Sequence, residues 1–252
     1  MSKIINELLG YPKYKIVQDS ALFHFSLDSM LLANFATINP KMHDIIDFCS
    51  GNGPIPMFLT LRTAANITAV EIQKDAYNLA RESFELNGLE QKIHLMNEDV
   101  KGIRKYVGTD RFDLVLCNPP YFKATENSHV NEDQRLTIAR HEILITLEDV
   151  IKEASVILKD GGYLAMVHRP DRLIEIFSLL EKYHLQPSRM QFVYPKVGKD
   201  ANHLLIEARK GAHKNANLHI LSPLFVYDSY NKWTNDVLKI YNYKKEEWFL
   251  CF

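Results

Sequence analysis

Asp44-Ile45-Ile46-Asp47-Phe48-Cys49-Ser50-Gly51-Asn52-Gly53-Pro54-Ile55-Pro56 is the stretch on which the fold of this chain turns. Its first half is a short apolar run of the kind that forms a buried strand, and two glycines around one residue follow at once. Glycine lets the backbone turn sharply and approach a ligand closely, and proline suits the first position of a helix. The stretch therefore reads as strand, glycine turn and helix, with the helix running from Pro54 to about Arg62. The next strand, Asn66-Ile67-Thr68-Ala69-Val70-Glu71, ends on an acid. Glu71 falls about 20 residues after the turn, where nucleotide-binding α/β folds hold the carboxylate that accepts from ribose hydroxyls.

The dinucleotide fingerprint needs a third glycine three residues after the second, and this chain has Pro56 there. Pyrophosphate is disfavoured, and an adenosine ligand without phosphates fits better. A third acidic strand end follows in Lys92–Val100, where Asp99 is placed to accept from an adenine amino group and the Val100 N–H to donate to a ring nitrogen. Asp47, Glu71 and Asp99 thus end three successive strands, the edge at which open α/β sheets bind ligands. Each alone serves equally well as a helix N-cap. Three in order, with Asn118 next, do not reduce to caps.

Asn118-Pro119-Pro120-Tyr121 follows the apolar run Phe112–Cys117, read as a fourth buried strand. Proline has a fixed φ and no N–H, so the carbonyls of this corner are rigid and free to accept. A carboxamide, such carbonyls and an aromatic face in one small space make a site for a planar amine: the Asn118 oxygen and the Pro119 carbonyl accept its two hydrogens while Tyr121 stacks on the ring. Stacking alone requires no hydroxyl, so Tyr121→Phe is expected on this reading to be nearly silent. The plainer reading is that Asn-Pro-Pro only punctuates a strand end. The upstream acids and glycines favour the site.

In order, DFCSGNG (47–53), AVEI (69–72), NEDV (97–100) and NPPY (118–121) resemble the motifs of class I S-adenosylmethionine-dependent methyltransferases, NPPY resembling their amino-group-modifying branch. FSLDSMLLA (25–33), the DFCSGNGPIP loop and ARHE (139–142) resemble more narrowly the bacterial valine-tRNA adenine-37 N6-methyltransferase family, over about Leu22 to Trp233. The resemblance implies a Rossmann-like seven-stranded α/β sheet with helices on both faces and S-adenosylmethionine as the methyl donor. It implies a tRNA anticodon loop as the substrate and Asn118, Pro119, Pro120 and Tyr121 as the catalytic set. It further implies a donor site of Asp28, Asp47, Ser50, Gly51, Gly53, Glu71, Ile72, Asp99, Val100 and Asn118, with Asp47 near the methionine end and Asp28 as its neighbour. Release-factor glutamine and rRNA guanine-N2 methyltransferases share NPPY. A non-catalytic RNA-binding scaffold on the same fold is the remaining alternative, disfavoured because every motif is intact.

The rest of the chain is consistent with one core. With 252 residues, 46% hydrophobic, a single domain with appendages is expected: an arm over 1–27, a catalytic domain over 28–217 and an extension over 218–252. Strand and helix alternate, the signature of a parallel sheet covered on both faces. Helices are expected at Asp28–Ala36 with Asp28 as N-cap, at Lys74–Leu86 stopping on Asn87-Gly88, at Thr146–Leu158 and at Arg172–Tyr183. Later strands are expected at Tyr163–His168 after Gly161-Gly162, near Met190–Tyr194 and at Ala201–Arg209.

Three scattered cysteines without ligand spacing argue for a reducing cytoplasm and against a metal. No apolar run spans a membrane and no leader is evident. The net charge of −1 confines RNA contact to local patches. Lys123, Arg135, Arg140 and His141 flank the pocket loop Pro119–His141, and Lys196, Lys199, Arg209, Lys210 and Lys214 enrich a later stretch. Arm, loop and basic stretch are expected to rim the pocket mouth.

Overall fold

A computed structural model describes residues 3–8, 10–19, 27–121, 144–211 and 217–241. The chain opens with an antiparallel hairpin, β1 (Lys3–Leu8) and β2 (Tyr11–Asp19), where the sequence reads only as an arm. Helix α1 (Leu27–Phe35) starts one residue before Asp28, which lies in its first turn rather than at the expected N-cap. Then follow β3 (Asp44–Phe48), α2 (Pro54–Thr60), β4 (Asn66–Val70), α3 (Lys74–Leu86), β5 (Ile93–Met96), α4 (Arg104–Val107) and β6 (Phe112–Cys117). The second half holds α5 (Leu147–Ile157), β7 (Leu158–His168), a 3-10 turn at Pro170–Arg172, α6 (Leu173–Lys182), β8 (Leu185–Tyr194) and β9 (His203–Lys210). Two short strands, β10 (His219–Ile220) and β11 (Leu224–Phe225), and α7 (Asn235–Tyr241) complete it.

Apart from the β1–β2 hairpin, a two-stranded sheet of its own, the strands form one sheet in the order β10-β8-β9-β7-β6-β3-β4-β5, with β11 also paired to β8. Seven of them make the expected Rossmann-like sheet, and the two two-residue strands extend its edge. Strands β3 to β7 are mutually parallel and β9 runs against both its neighbours. Successive strand residues point to opposite faces. Ile45, Leu114 and Leu116 accordingly join a core with α1, α2 and α3, while Ile46, Val115 and Cys117 join a second core with α4, α5 and α6. Leu8 and Ile16 of the hairpin and Leu224, Val226 and Val237 near the end of the described chain lie in the first core.

Local signals account for the boundaries. Helix α3 stops at Asn87 because Gly88 takes φ +63° and the Gly88 and Leu89 N–H groups donate back to Glu85 and Phe84 carbonyls, a Schellman closure. Thr146 caps α5 in a reciprocal box with Asp149, leaving Thr146 outside the helix. β7 begins five residues earlier than the glycine pair suggested. It absorbs Gly161 (φ +82°) and Gly162 in a register shift against β6.

The consequence for function is positional. Chain order reverses between β3 and β6, whose ends Phe48 and Cys117 are direct partners. That switch point opens a crevice at the carboxyl ends of the strands. The glycine turn and Asn118-Pro119-Pro120-Tyr121 both emerge there.

Candidate functional site

On the β3–β4 side the crevice is built around two buried acids. Asp47, the penultimate residue of β3, and Glu71, immediately after β4, are both buried. Glu71 braces the glycine turn: its Oε2 accepts from the Gly51 N–H at 2.8 Å and its Oε1 from the Gln73 N–H at 2.7 Å. Burial raises its pKa, against the lowering pull of these N–H groups and that of Ile72. Asp47 accepts from the Ser50 hydroxyl at 2.7 Å through Oδ2, while its Oδ1 is buried without a partner. Burial pushes its pKa well above the carboxylate range, the Ser50 bond opposes this, and the nearby Glu71 charge adds to it.

The turn itself adopts left-handed backbone at Cys49 (φ +55°), Gly51 (+57°) and Gly53 (+89°). A Cβ on Gly53 would stand 2.6 Å from the Phe84 ring, so both the angle and the close helix approach require glycine. The Asn52 amide donates to the Val17 carbonyl at 3.0 Å, tying the turn to the hairpin. The Asn97 amide donates to the Glu71 and Ile72 carbonyls at 2.8 and 3.0 Å, fixing the segment on which Ile72 stands 39% exposed. Asp99 lies three residues past β5, not at its end. It is half-buried, and its Oδ1 accepts from the Lys101 N–H at 2.8 Å beside buried Val100.

On the other side, Asn118 follows β6 directly. The Tyr121 hydroxyl lies 2.5 Å from Asn118 Oδ1 and 3.2 Å from Asp28 Oδ2. A phenol has one proton to give, and the shorter contact takes it. Burial first, and the Asp28 carboxylate second, push the phenol well above its ordinary range, so it remains a donor. His203, the first residue of β9, puts Nε2 at 3.2 Å from Asp28 Oδ1. Arg172 donates to the Tyr121 carbonyl at 3.3 Å while its Nε and Nη2 grip Glu175, each at 2.8 Å. The Tyr121 ring rests 5.5 Å from the His168 ring and 6.1 Å from that of His203.

The structure thus brings Asp47, Ser50, Gly51, Gly53, Glu71 and Ile72 together on one side of the crevice and Asn118, Tyr121 and Asp28 on the other. His168, His203, Arg172 and Asn97 are additions that the sequence reading missed. His168 ends β7, so the strand-end rule that selected the acids reaches it too. His203 had no such signal, because β9 is antiparallel and meets this edge with its first residue.

Lys123, Arg135, Arg140, His141 and Lys214 lie outside the described residues. The basic stretch 196–214 does not form one rim. Lys196 and Lys199 lie in the turn at the carboxyl edge, whereas Arg209 and Lys210 end β9 at the opposite edge, about 26 Å away for eight residues of strand. There Arg209 donates to the Gly161 carbonyl at 3.1 Å and Lys210 to Asp110 at 2.7 Å. Among the described residues no group of three or more His, Cys, Asp or Glu is poised to hold a metal, and no helix is long and apolar enough to cross a membrane.

Comparison with known proteins places these features in company. The family model described as Methyltransferase small domain matches residues 14–185. A protein of Flavobacterium psychrophilum named tRNA1(Val) (adenine(37)-N6)-methyltransferase is 27% identical over 186 residues, 73% of this chain and 77% of that protein. One of the same name from Bacteroides thetaiotaomicron is 28% identical over 203 residues, 80% of this chain and 83% of its own length. The crystal structure of a predicted O-methyltransferase from Agrobacterium tumefaciens superposes with a TM-score of 0.67 at 26% identity, covering 85% of this chain and 95% of that one.

Proposed function

The chain belongs to the methyltransferase small domain family, and from that premise we propose that it transfers a methyl group from S-adenosylmethionine to the exocyclic N6 amino group of an adenine in tRNA. The names of the relatives support adenine 37 of a valine tRNA as the target, and hence a cytoplasmic reaction. The single observation that carries the reading is the pairing, across one switch-point crevice, of buried acids with an Asn-Pro-Pro-Tyr corner. S-adenosylmethionine, when bound, supplies an electrophilic methyl on a positively charged sulfonium, with an ammonium group alongside. Among the described residues no basic side chain pairs with Asp47 or Glu71, and Asp47 Oδ1 is left without a partner. That donor set suits a cationic ligand rich in hydroxyls and amino hydrogens.

In this reading Glu71 accepts from the ribose hydroxyls, Ile72 covers one face of the adenine, and Asp99 with the Val100 N–H reads its edge. Ser50, Gly51 and Gly53 shape the turn that approaches the ligand, and Asp47 meets the ammonium group with Asp28 beside the methionine end. Asn118 Oδ1 and the Pro119 carbonyl accept the two hydrogens of the target amine, and the rigid Pro119-Pro120 corner holds that carbonyl in place. A hydroxyl acceptor has one hydrogen, so two fixed acceptors favour a nitrogen. These bonds draw the amine lone pair out of conjugation and toward the methyl. No strong base is required, since the methylated amine is acidic at the moment of transfer and loses its proton to water. The base must leave its stack to enter, which an anticodon loop makes easier. Lys123, Arg135, Arg140 and His141 are proposed as the RNA contacts beside the pocket.

Mass spectrometry of nucleosides from total RNA incubated with the protein and labelled donor tests the reading. Labelled N6-methyladenosine is expected, and label in N2-methylguanosine or in protein only would overturn it. Two further results are expected. Tyr121→Phe loses the bond that orients Asn118, so its single-turnover rate should fall about fivefold, the value of about 1 kcal/mol for one hydrogen bond. A rate equal to that of the unmodified protein would leave Tyr121 a stacking role alone. A cation arriving beside Asp47 favours its ionised form, so donor binding should release protons and strengthen as pH rises through the raised pKa of free Asp47. Calorimetry in two buffers of unlike ionisation enthalpy measures this, and identical heats would remove Asp47 from the ammonium site.

A further inference from the structure

Among the described residues five buried side-chain atoms lack a hydrogen-bond partner, and two of them, Asp47 Oδ1 and His168 Nε2, belong to residues at the carboxyl ends of sheet strands. The first is absorbed by the donor site. The second is not. His168 is fully buried, and the neighbouring Arg169 backbone N–H donates to its Nδ1 at 2.8 Å. A nitrogen that accepts carries no proton, so the hydrogen of the neutral ring resides on Nε2. Burial, aided by the Arg172 charge, lowers the pKa of the ring to about 4, so the ring is neutral at physiological pH. The backbone has thus fixed one tautomer with a rigid N–H donor, and nothing among the described residues accepts from it. Buried donors are almost always satisfied, so an orphaned one calls for an explanation, and this one stands beside the pocket proposed for the target base.

The place is specific. β7 lies beside β6, so His168 stands one strand over from Asn118, and its ring is shielded by Tyr121 at 5.5 Å. Tyr121 is the residue assigned to stack on the target base, so a base seated against its ring lies close to His168. In adenine the amine that Asn118 and Pro119 hold is flanked by two ring nitrogens, N1 and N7, and both accept.

We propose that His168 is a specificity-determining residue whose Nε2–H donates to a ring nitrogen of the target base flanking the exocyclic amine. The inference rests on the adenine reading above and deepens it. A site built to donate at such a position rejects bases that lack the acceptor, because its own N–H then stays buried and unpaired. At N1 it also rejects guanine, whose N1 carries a hydrogen. Asn118 alone reads only an amine.

The test uses synthetic anticodon stem-loop RNA of valine tRNA carrying adenine, 1-deazaadenine or 7-deazaadenine at position 37, with single-turnover rates for the unmodified protein, His168→Phe and His168→Gln. Phenylalanine retains a ring against Tyr121 and removes the N–H, while glutamine restores a donor. The unmodified protein is expected to lose about tenfold on one deaza analogue, which names the nitrogen. His168→Phe should lose about tenfold on adenine and nothing more on that same analogue, and His168→Gln should recover part of the rate. Losses that multiply instead of coinciding would make His168 structural and overturn the proposal. Full rates of the unmodified protein on both analogues would overturn it even if the variants fail to fold. Failure of the unmodified protein on adenine itself is a separate result, and it removes the parent reading as well.

Discussion

Replacing Asn118 with alanine is expected to slow methyl transfer in a single turnover by about 100-fold or more, with RNA affinity held within about threefold. In the proposed mechanism the carboxamide acts on charge that develops at the amine as the new bond forms, so its removal is felt in the transition state more than in binding. The structure sharpens this expectation, because Asn118 Oδ1 is already oriented by the Tyr121 hydroxyl at 2.5 Å. A carbonyl oxygen has two lone pairs, so the one not engaged by Tyr121 remains for the substrate. Rapid-quench kinetics with labelled donor, alongside filter binding of the RNA, separates the two quantities. A variant that reacts at the full rate would end the proposed role.

Glu71→Ala is expected to weaken S-adenosylmethionine binding by tenfold to a few hundredfold. Loss of the proposed charged hydrogen bonds to the ribose accounts for about 1.5–3 kcal/mol. A second contribution is visible only in the folded protein: the same carboxylate holds the Gly51 and Gln73 N–H groups, so its removal also loosens the turn that receives the ligand. Glu71→Gln separates the two effects. The amide retains one acceptor but turns an NH2 toward one of two N–H donors, so it should fall between alanine and the native residue. Isothermal calorimetry measures all three, and unchanged affinity in the alanine variant would remove Glu71 from the donor site.

Much of this was legible from the residues in order. The strand-turn-helix of Asp44–Pro56, the acids after it and the Asn118–Tyr121 corner follow local rules: apolar runs, backbone freedom at glycine, and the fixed φ of proline. Those rules locate the switch point, since it depends only on which strands end where. They also set the ends of α3 and β6 at the expected residues. What stayed hidden was relational. That Tyr121 orients Asn118 depends on a rotamer, and a reading from stacking alone made its hydroxyl dispensable. Asp28 looked like a helix cap because Asp before an apolar run is a good cap, yet its partners come from residues 93 and 175 positions away. The basic stretch looked like one patch because proximity in sequence was taken for proximity in space, and an intervening strand carries its two halves to opposite edges.

The reversed direction of β9 also sets the order in which the site can exist. Everything proposed to hold the methyl donor is made by residue 118, whereas His203 must be synthesised and its strand slotted between β7 and β8 before it can meet Asp28. On a chain emerging from the ribosome, the donor cleft can assemble while the acceptor side still lacks its last wall, because domains fold from the first residues available and distant contacts are slow to close. A nascent chain arrested before β9 would then hold its donor without being able to seat a base. The enzyme would become able to modify RNA only after its whole sheet had been made.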